Sequence, residues 1–162
     1  MTDARKAAIS PAPVRRSVTV EASVERAFEV FTAQFGRWWP APHKIGRSAL
    51  KTATIEPKVG GRWYEVGEDG SECQWGDVLA WEPPSRILLA WRIGTDWRFN
   101  PALLTEVEVR FVAVEAGITR VELEHRLLEN MGEGAAVARA SYESEGGWSS
   151  ILSGFVEAVR QA

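Results

Sequence analysis

One cysteine, Cys73, in 162 residues excludes an internal disulfide and any metal site built on several thiolates. Only two histidines are present, His43 and His125, far apart and without carboxylates in ligand spacing, so no zinc site is expected. No stretch approaches the run of about 18 apolar residues that a membrane-spanning helix needs, so membrane insertion is not expected. Arg5 and Lys6 are followed by no apolar segment, and residues 1–13 read as a disordered tail punctuated by Pro11 and Pro13 rather than as a secretory leader. Positive charge is not in excess: 19 Lys and Arg stand against 22 Asp and Glu, a net of −3, which argues against a nucleic-acid partner. Metalloprotease (HExxH), phosphate-loop and nucleophile-elbow (GxSxG) motifs are missing. Gly132-Glu133-Gly134 has Val137 where a third glycine would stand, and reads as a flexible connection. These absences describe a cytoplasmic chain with no resident cofactor or metal.

Tryptophan, by contrast, is abundant: eight residues, against two tyrosines and six phenylalanines. The length suits one domain, expected over residues 14–162.

Val14, Arg16, Val18 and Val20 alternate with Arg15, Ser17, Thr19 and Glu21, a loosely strand-like pattern. Ser23 is an N-cap with Glu25 in the first turn. Val24, Ala27, Phe28, Phe31 and Phe35 then mark one face of a helix over 24–35, with Gly36 as its stop. Trp38 to Pro42 reads as a turn or a broken second helix. Strands are expected over 49–56, 62–66, 72–81, 86–93, 104–114 and 119–126, joined by short turns such as Gly67-Glu68-Asp69-Gly70. Trp148, Ile151, Leu152, Phe155 and Val159 mark a second amphipathic helix over 145–161, with a helical lead-in from Ala135 to Ser144. An antiparallel meander with one apolar face must cover that face, and this last helix is the element able to do so. The gap between curved sheet and helix is the expected ligand site.

The ordered pieces Val18 to Phe28, Arg37-Trp38-Trp39-Pro40, Glu56 to Trp63, Gly76 to Ile87, Trp91, Leu123-Glu124-His125 and Gly147-Trp148 resemble the START-like (SRPBCC) helix-grip superfamily. Within it they are similar to the family named for the activator of the 90-kDa heat-shock-protein ATPase. The resemblance implies an α+β helix-grip fold: a sheet of six or seven strands around a long C-terminal helix, with a short helix pair after the first strand. It implies a function among carriers of apolar molecules, cyclases and co-chaperone domains. The chaperone activator usually carries an N-terminal chaperone-binding domain, which thirteen residues are not expected to supply.

The candidate ligand-binding residues are Trp39, Trp63, Trp75, Trp91, Trp97, Phe99, His125, Trp148 and Arg62. Trp91 is in phase with Ile87 and Leu89, hence inward; Trp148 heads the stripe of the last helix; Trp97 and Phe99 form a lid over the gap. Trp63, Trp75 and Trp81 lie on the middle strands and the pattern does not phase them. A lining of indoles suits a flat aromatic ligand by stacking, with indole N–H groups as donors, whereas plain core packing uses the same residues. His125, in phase with Val121 and Leu123, is the one candidate for acid–base work, or a core histidine. Arg62 is a carboxylate anchor or a solvated strand residue. His43 is read as solvated, Cys73 as a passive thiol, and Glu106, Glu108, Glu122 and Glu124 as solvent-facing partners of arginines. Three functions follow: a binding module for a small apolar or amphipathic molecule; an enzyme (cyclase, dehydratase or hydrolase) acting on a hydrophobic substrate; or a co-chaperone-like module with a chaperone partner.

Overall fold

Seven strands form one antiparallel sheet in the order β1-β7-β6-β5-β4-β3-β2. The computed structural model describes residues 12–161, so the expected tail lies outside the described residues apart from Ala12 and Pro13. The strands are β1 (Val14–Val20), β2 (Leu50–Ile55), β3 (Arg62–Gly67), β4 (Glu72–Glu82), β5 (Arg86–Trp91), β6 (Thr105–Glu115) and β7 (Ile118–Arg126). Strands β2 to β7 run as a meander, and β1 returns to pair with β7, setting Val18 opposite Val121. The alternation read in β6 and β7 holds: Val107, Val109, Phe111, Val121, Leu123 and His125 are buried on the inner face. On the outer face Glu108 accepts from Arg86, Arg126 and Arg110 at 2.5, 3.0 and 3.0 Å. Glu108 is therefore buried beneath its arginines rather than solvent-facing.

Of two inward tryptophans on the middle strands, Trp63 follows the alternation of β3, whereas Trp75 owes its position to an irregularity that period-two counting does not see. Trp63 pairs with Gly76 but Tyr64 pairs with Gln74, so Trp75 is an extra residue on β4, a β-bulge. The bulge lets Trp63 and Trp75 share the inner face, both 1% exposed. A second register shift, between Val78 and Ala80, brings Trp81 opposite Ile87 on the inner face, where it is half-buried at the margin of the core and edge-on to Phe28 at 5.2 Å.

Helix α1 (Val24–Thr32) starts at Ser23, whose hydroxyl accepts from the Arg26 N–H at 3.1 Å. It stops before Phe35, which opens the short α2 (Phe35–Trp38). Gly36 is thus inside α2 and not the stop of α1. Its role is a close approach to β2: a Cβ there would lie 2.1 Å from Thr52 Oγ1. After β7 comes a 3-10 turn (Leu128–Gly134), where the sequence suggests a flexible connection, then α3 (Ala135–Glu143). A π-type turn (Glu145–Ser149) leads into α4 (Ser150–Gln161), so Trp148 precedes the regular helix instead of opening it.

Helix α4 lies across the inner face with Ile151, Leu152, Phe155 and Val159 buried. Phe155 packs edge-on to Phe31 at 5.2 Å and Trp38 at 5.4 Å, and Phe31 meets Phe111 at 5.7 Å. These rings fill the middle of the space between sheet and helix. An opening lined by aromatic residues remains at the end where α3 turns into α4. That corner requires glycine at 147, since a Cβ there would lie 2.2 Å from the Tyr142 carbonyl oxygen.

Candidate functional site

An open cleft of about 550 Å³ occupies this end of the molecule. Its walls are Trp39 after α2, Trp75 on β4, Trp91 and Ile93 at the end of β5, Tyr142 on α3, and Trp148 with Ile151 at the head of α4. The Pro42–Lys44 loop and Trp97 form the rim. The wall indoles touch: Trp39 lies 5.1 Å from Trp75 and 6.0 Å from Trp148, and Trp91 lies 6.2 Å from both Trp75 and Trp148.

Every wall indole spends its N–H on the scaffold. Trp39 donates to the His43 carbonyl at 2.7 Å, closing the loop that follows it. Trp75 donates to Glu65 Oε1 at 2.8 Å, Trp91 to the Tyr142 hydroxyl at 3.1 Å, and Trp148 to His125 Nδ1 at 3.2 Å. The expectation that indole N–H groups serve a ligand as donors is therefore corrected. What these four residues present is ring surface, locked in orientation before anything binds.

His125 is wholly buried and outside the lining. Because Nδ1 accepts from Trp148, the proton sits on Nε2, which donates to Thr105 Oγ1 at 3.0 Å; that hydroxyl donates to the Trp91 carbonyl at 2.8 Å. Burial lowers its pKa to about 3, so the ring is neutral at pH 7. Both ring nitrogens are engaged within the fold, one by Trp148 and the other by Thr105, so His125 ties β7 to the cleft wall and to β6.

Of the other sequence candidates, Trp63 lies behind Trp75 and Trp91, at 5.5 and 5.3 Å, and does not reach the cleft. Phe99 is held in an isolated bridge with Ile93 and is also outside the lining. Arg62 is a correction of the same kind: β3 alternation sends it to the face opposite Trp63. There it pairs with Glu72 at 3.0 Å and Glu56 at 3.6 Å and lies 4.1 Å above the Tyr64 ring. Trp97 stands on the rim, 52% exposed and edge-on to Tyr142 at 6.3 Å. Its backbone φ is +59°, left-handed. The position ends a tight turn in which the Trp97 N–H donates to the Gly94 carbonyl at 3.0 Å, and an aromatic residue there is strained where glycine would not be.

Four residues escaped the sequence reading. His43, read as solvated, is half-buried in the lining, and burial lowers its pKa. Its neighbour Lys44 also lines the cleft. Tyr142 follows Ala135 and Ala138 at i, i+3 and i+7, a helical phase that marks it as buried. Glu65 shares the inward phase of Trp63 and is 1% exposed. Its Oε1 accepts from the Ile45 N–H at 2.7 Å as well as from Trp75, and its Oε2 accepts from the Gly46 N–H at 3.1 Å. One buried carboxyl group thus ties a wall tryptophan to the loop carrying His43 and Lys44. Among the described residues no group of three His, Cys, Asp or Glu side chains is placed to hold a metal ion.

A curled seven-stranded antiparallel sheet gripping C-terminal helices is the α+β helix-grip architecture of START-like proteins. The chain belongs to the family described as activator of Hsp90 ATPase homolog 1-like proteins, whose model matches residues 21–160. Among solved structures it is similar to an anthrahydroquino-γ-pyrone synthase, Txn09, at 40% identity over 91% of this chain and 97% of that one, TM-score 0.64. It is also similar to CalC from Micromonospora echinospora, described as a self-sacrificing resistance protein, at 32% identity over 92% and 94%, TM-score 0.69. An Aha1 dimer protein from Colwellia psychrerythraea shares the fold at 15% identity, covering 92% and 96%, TM-score 0.60. No protein of curated function matches the chain.

Proposed function

We propose that this protein binds a planar, fused-ring aromatic molecule in the cleft at the α3–α4 corner, as a single domain over residues 14–162. The observation that carries this reading is the wall of four prepositioned indoles, with Trp97 at the rim, around about 550 Å³. That volume lies within the range of small-molecule sites, and ring faces with their polar atoms already satisfied favour stacking over hydrogen-bonded recognition. The 40% identity to a protein named for making an anthrahydroquino-γ-pyrone, itself a fused-ring compound, supports the same ligand class.

Catalysis on the bound aromatic is the second reading. It is favoured by that relative being a synthase, and by a neutral His43 and the Tyr142 hydroxyl lining the cleft. It replaces His125 as the acid–base candidate. The chaperone-partner reading has the family's name and a fold-level likeness behind it, but no feature of this cleft. Residence in the cytoplasm belongs to the same proposal, supported by the single, half-buried Cys73 thiol.

Titration with an anthraquinone probe, read by tryptophan fluorescence, tests the binding function. Saturable quenching at one probe per chain is expected. Quenching that stays linear to the solubility limit of the probe would overturn it.

A further inference from the structure

The polar groups of the cleft are unbalanced in charge. Lys44 is the one ionic residue in the lining, and no Asp or Glu joins it. All ion pairs among the described residues use arginine, so no described carboxylate lies within pairing distance of Lys44. Its ammonium donates to the Gly46 carbonyl at 2.5 Å, which uses one of three N–H bonds. The acid that holds this loop, Glu65, is outside the lining, and its two oxygens are occupied by three N–H donors. Acids adjacent to the rim in sequence, Asp96, Glu143 and Glu145, are exposed and also outside the lining, and Glu143 is paired with Arg139 at 2.9 Å.

Tyr142 adds a second donor. Its hydroxyl oxygen accepts from Trp91, and its own O–H proton has no protein acceptor among the described hydrogen bonds. Burial pushes its pKa up to about 12, so the proton stays on. The cleft therefore offers apolar ring faces together with an unpaired cation and an unspent O–H donor. An ammonium carried by a lining residue attracts an anionic ligand, and a cationic ligand would meet repulsion with no lining carboxylate to offset it.

We propose that the molecule taken by the cleft carries an ionised oxygen on its aromatic frame, as a phenolate, an enolate or a carboxylate, with Lys44 as its charge partner. The proposal rests on the aromatic-site reading above and narrows it to acidic aromatics.

Two probes of nearly equal shape separate the two ideas: anthraquinone-2-carboxylate and its neutral carboxamide, titrated by tryptophan fluorescence at low salt. The carboxylate should bind about tenfold more tightly, a difference of about 1.4 kcal/mol. Lys44→Gln should bring the ratio of the two affinities to within about threefold, and Lys44→Arg should restore the preference, since charge rather than shape is at issue. Raising the salt concentration should weaken the carboxylate more than the amide. Equal affinities in the unaltered protein, or a preference that survives Lys44→Gln, would overturn the proposal while leaving an aromatic site in place. If neither probe binds, the aromatic site itself falls and this inference with it.

Discussion

Replacing Glu65 by glutamine changes one atom in shape and removes an acceptor from a place that needs both. Oε1 accepts from Ile45 N–H and Trp75 Nε1–H; Oε2 accepts from Gly46 N–H. A glutamine amide has one oxygen and one NH₂ group. With the oxygen at the Oε1 position it keeps two donors and faces Gly46 with an N–H; reversed, it keeps one and faces two. The better arrangement loses one hydrogen bond to a charged group, of about 1.5–3 kcal/mol, and leaves a buried donor opposed by another donor. A loss of about 2–3 kcal/mol is expected, or roughly 5–10 °C in Tm for a chain of this length. Urea unfolding of Glu65→Gln measures it. A double-mutant cycle with Trp75→Phe, which deletes one of the three donors, should show a coupling of at least about 0.5 kcal/mol. Because the same carboxyl group holds the loop bearing His43 and Lys44, Glu65→Gln should also weaken aromatic-probe binding. A change below about 0.5 kcal/mol, or additivity with Trp75→Phe, would show that Glu65 does not hold Trp75 and the loop as described.

Acid should destabilise the protein earlier than carboxylate titration explains. The unfolded chain protonates its histidines near pH 6.5, whereas folded His125 resists to about 3 and His43 is lowered in the same direction, both by burial. Between those values the unfolded state binds more protons, so stability falls with pH, by up to about 1.4 kcal/mol per pH unit for each histidine that stays neutral in the fold. The carboxyls held below their usual range, such as Glu108 and Glu124, add their loss only nearer pH 4.5 and below. Urea unfolding at pH 7 and pH 5 should therefore show a drop that His125→Gln largely removes; an unchanged drop would place the origin elsewhere. At the rim, Trp97→Gly should be more stable than Trp97→Ala by about 1 kcal/mol, because only glycine adopts a φ of +59° without cost. Both variants should bind the aromatic probe several-fold more weakly, and equal stability of the two would remove the strain argument.

Local patterns carried most of the fold. Alternation in Leu104 to Val114 and Thr119 to Arg126, and the 3,4,7 spacing from Trp148 to Val159, correspond to β6, β7 and α4 because burial on one face imposes those periods. The failures sit where the chain leaves a regular period. The bulge at Trp75 shifts β4 by one residue, so counting by two cannot place both Trp63 and Trp75 inside. Gly36 looks like a helix stop, yet its missing side chain is used for contact with Thr52 across the fold.

What the sequence by itself determined is the antiparallel meander, the amphipathic helix that covers it, and a bias toward tryptophan among the aromatic residues, since each follows from periodicity or composition. Only the tertiary structure decided which aromatics face the opening. Trp39, Trp75, Trp91 and Trp148 come from four separate segments and meet there, while Trp63 and His125 stop one layer behind and Arg62 lies on the other face. Tertiary packing also decided that a loop histidine and its lysine belong to the cleft, because a buried glutamate twenty residues away holds that loop in place. Periodicity reports which side of an element is buried. It does not report whether the space on that side is filled by a phenylalanine or left open at the turn between two helices.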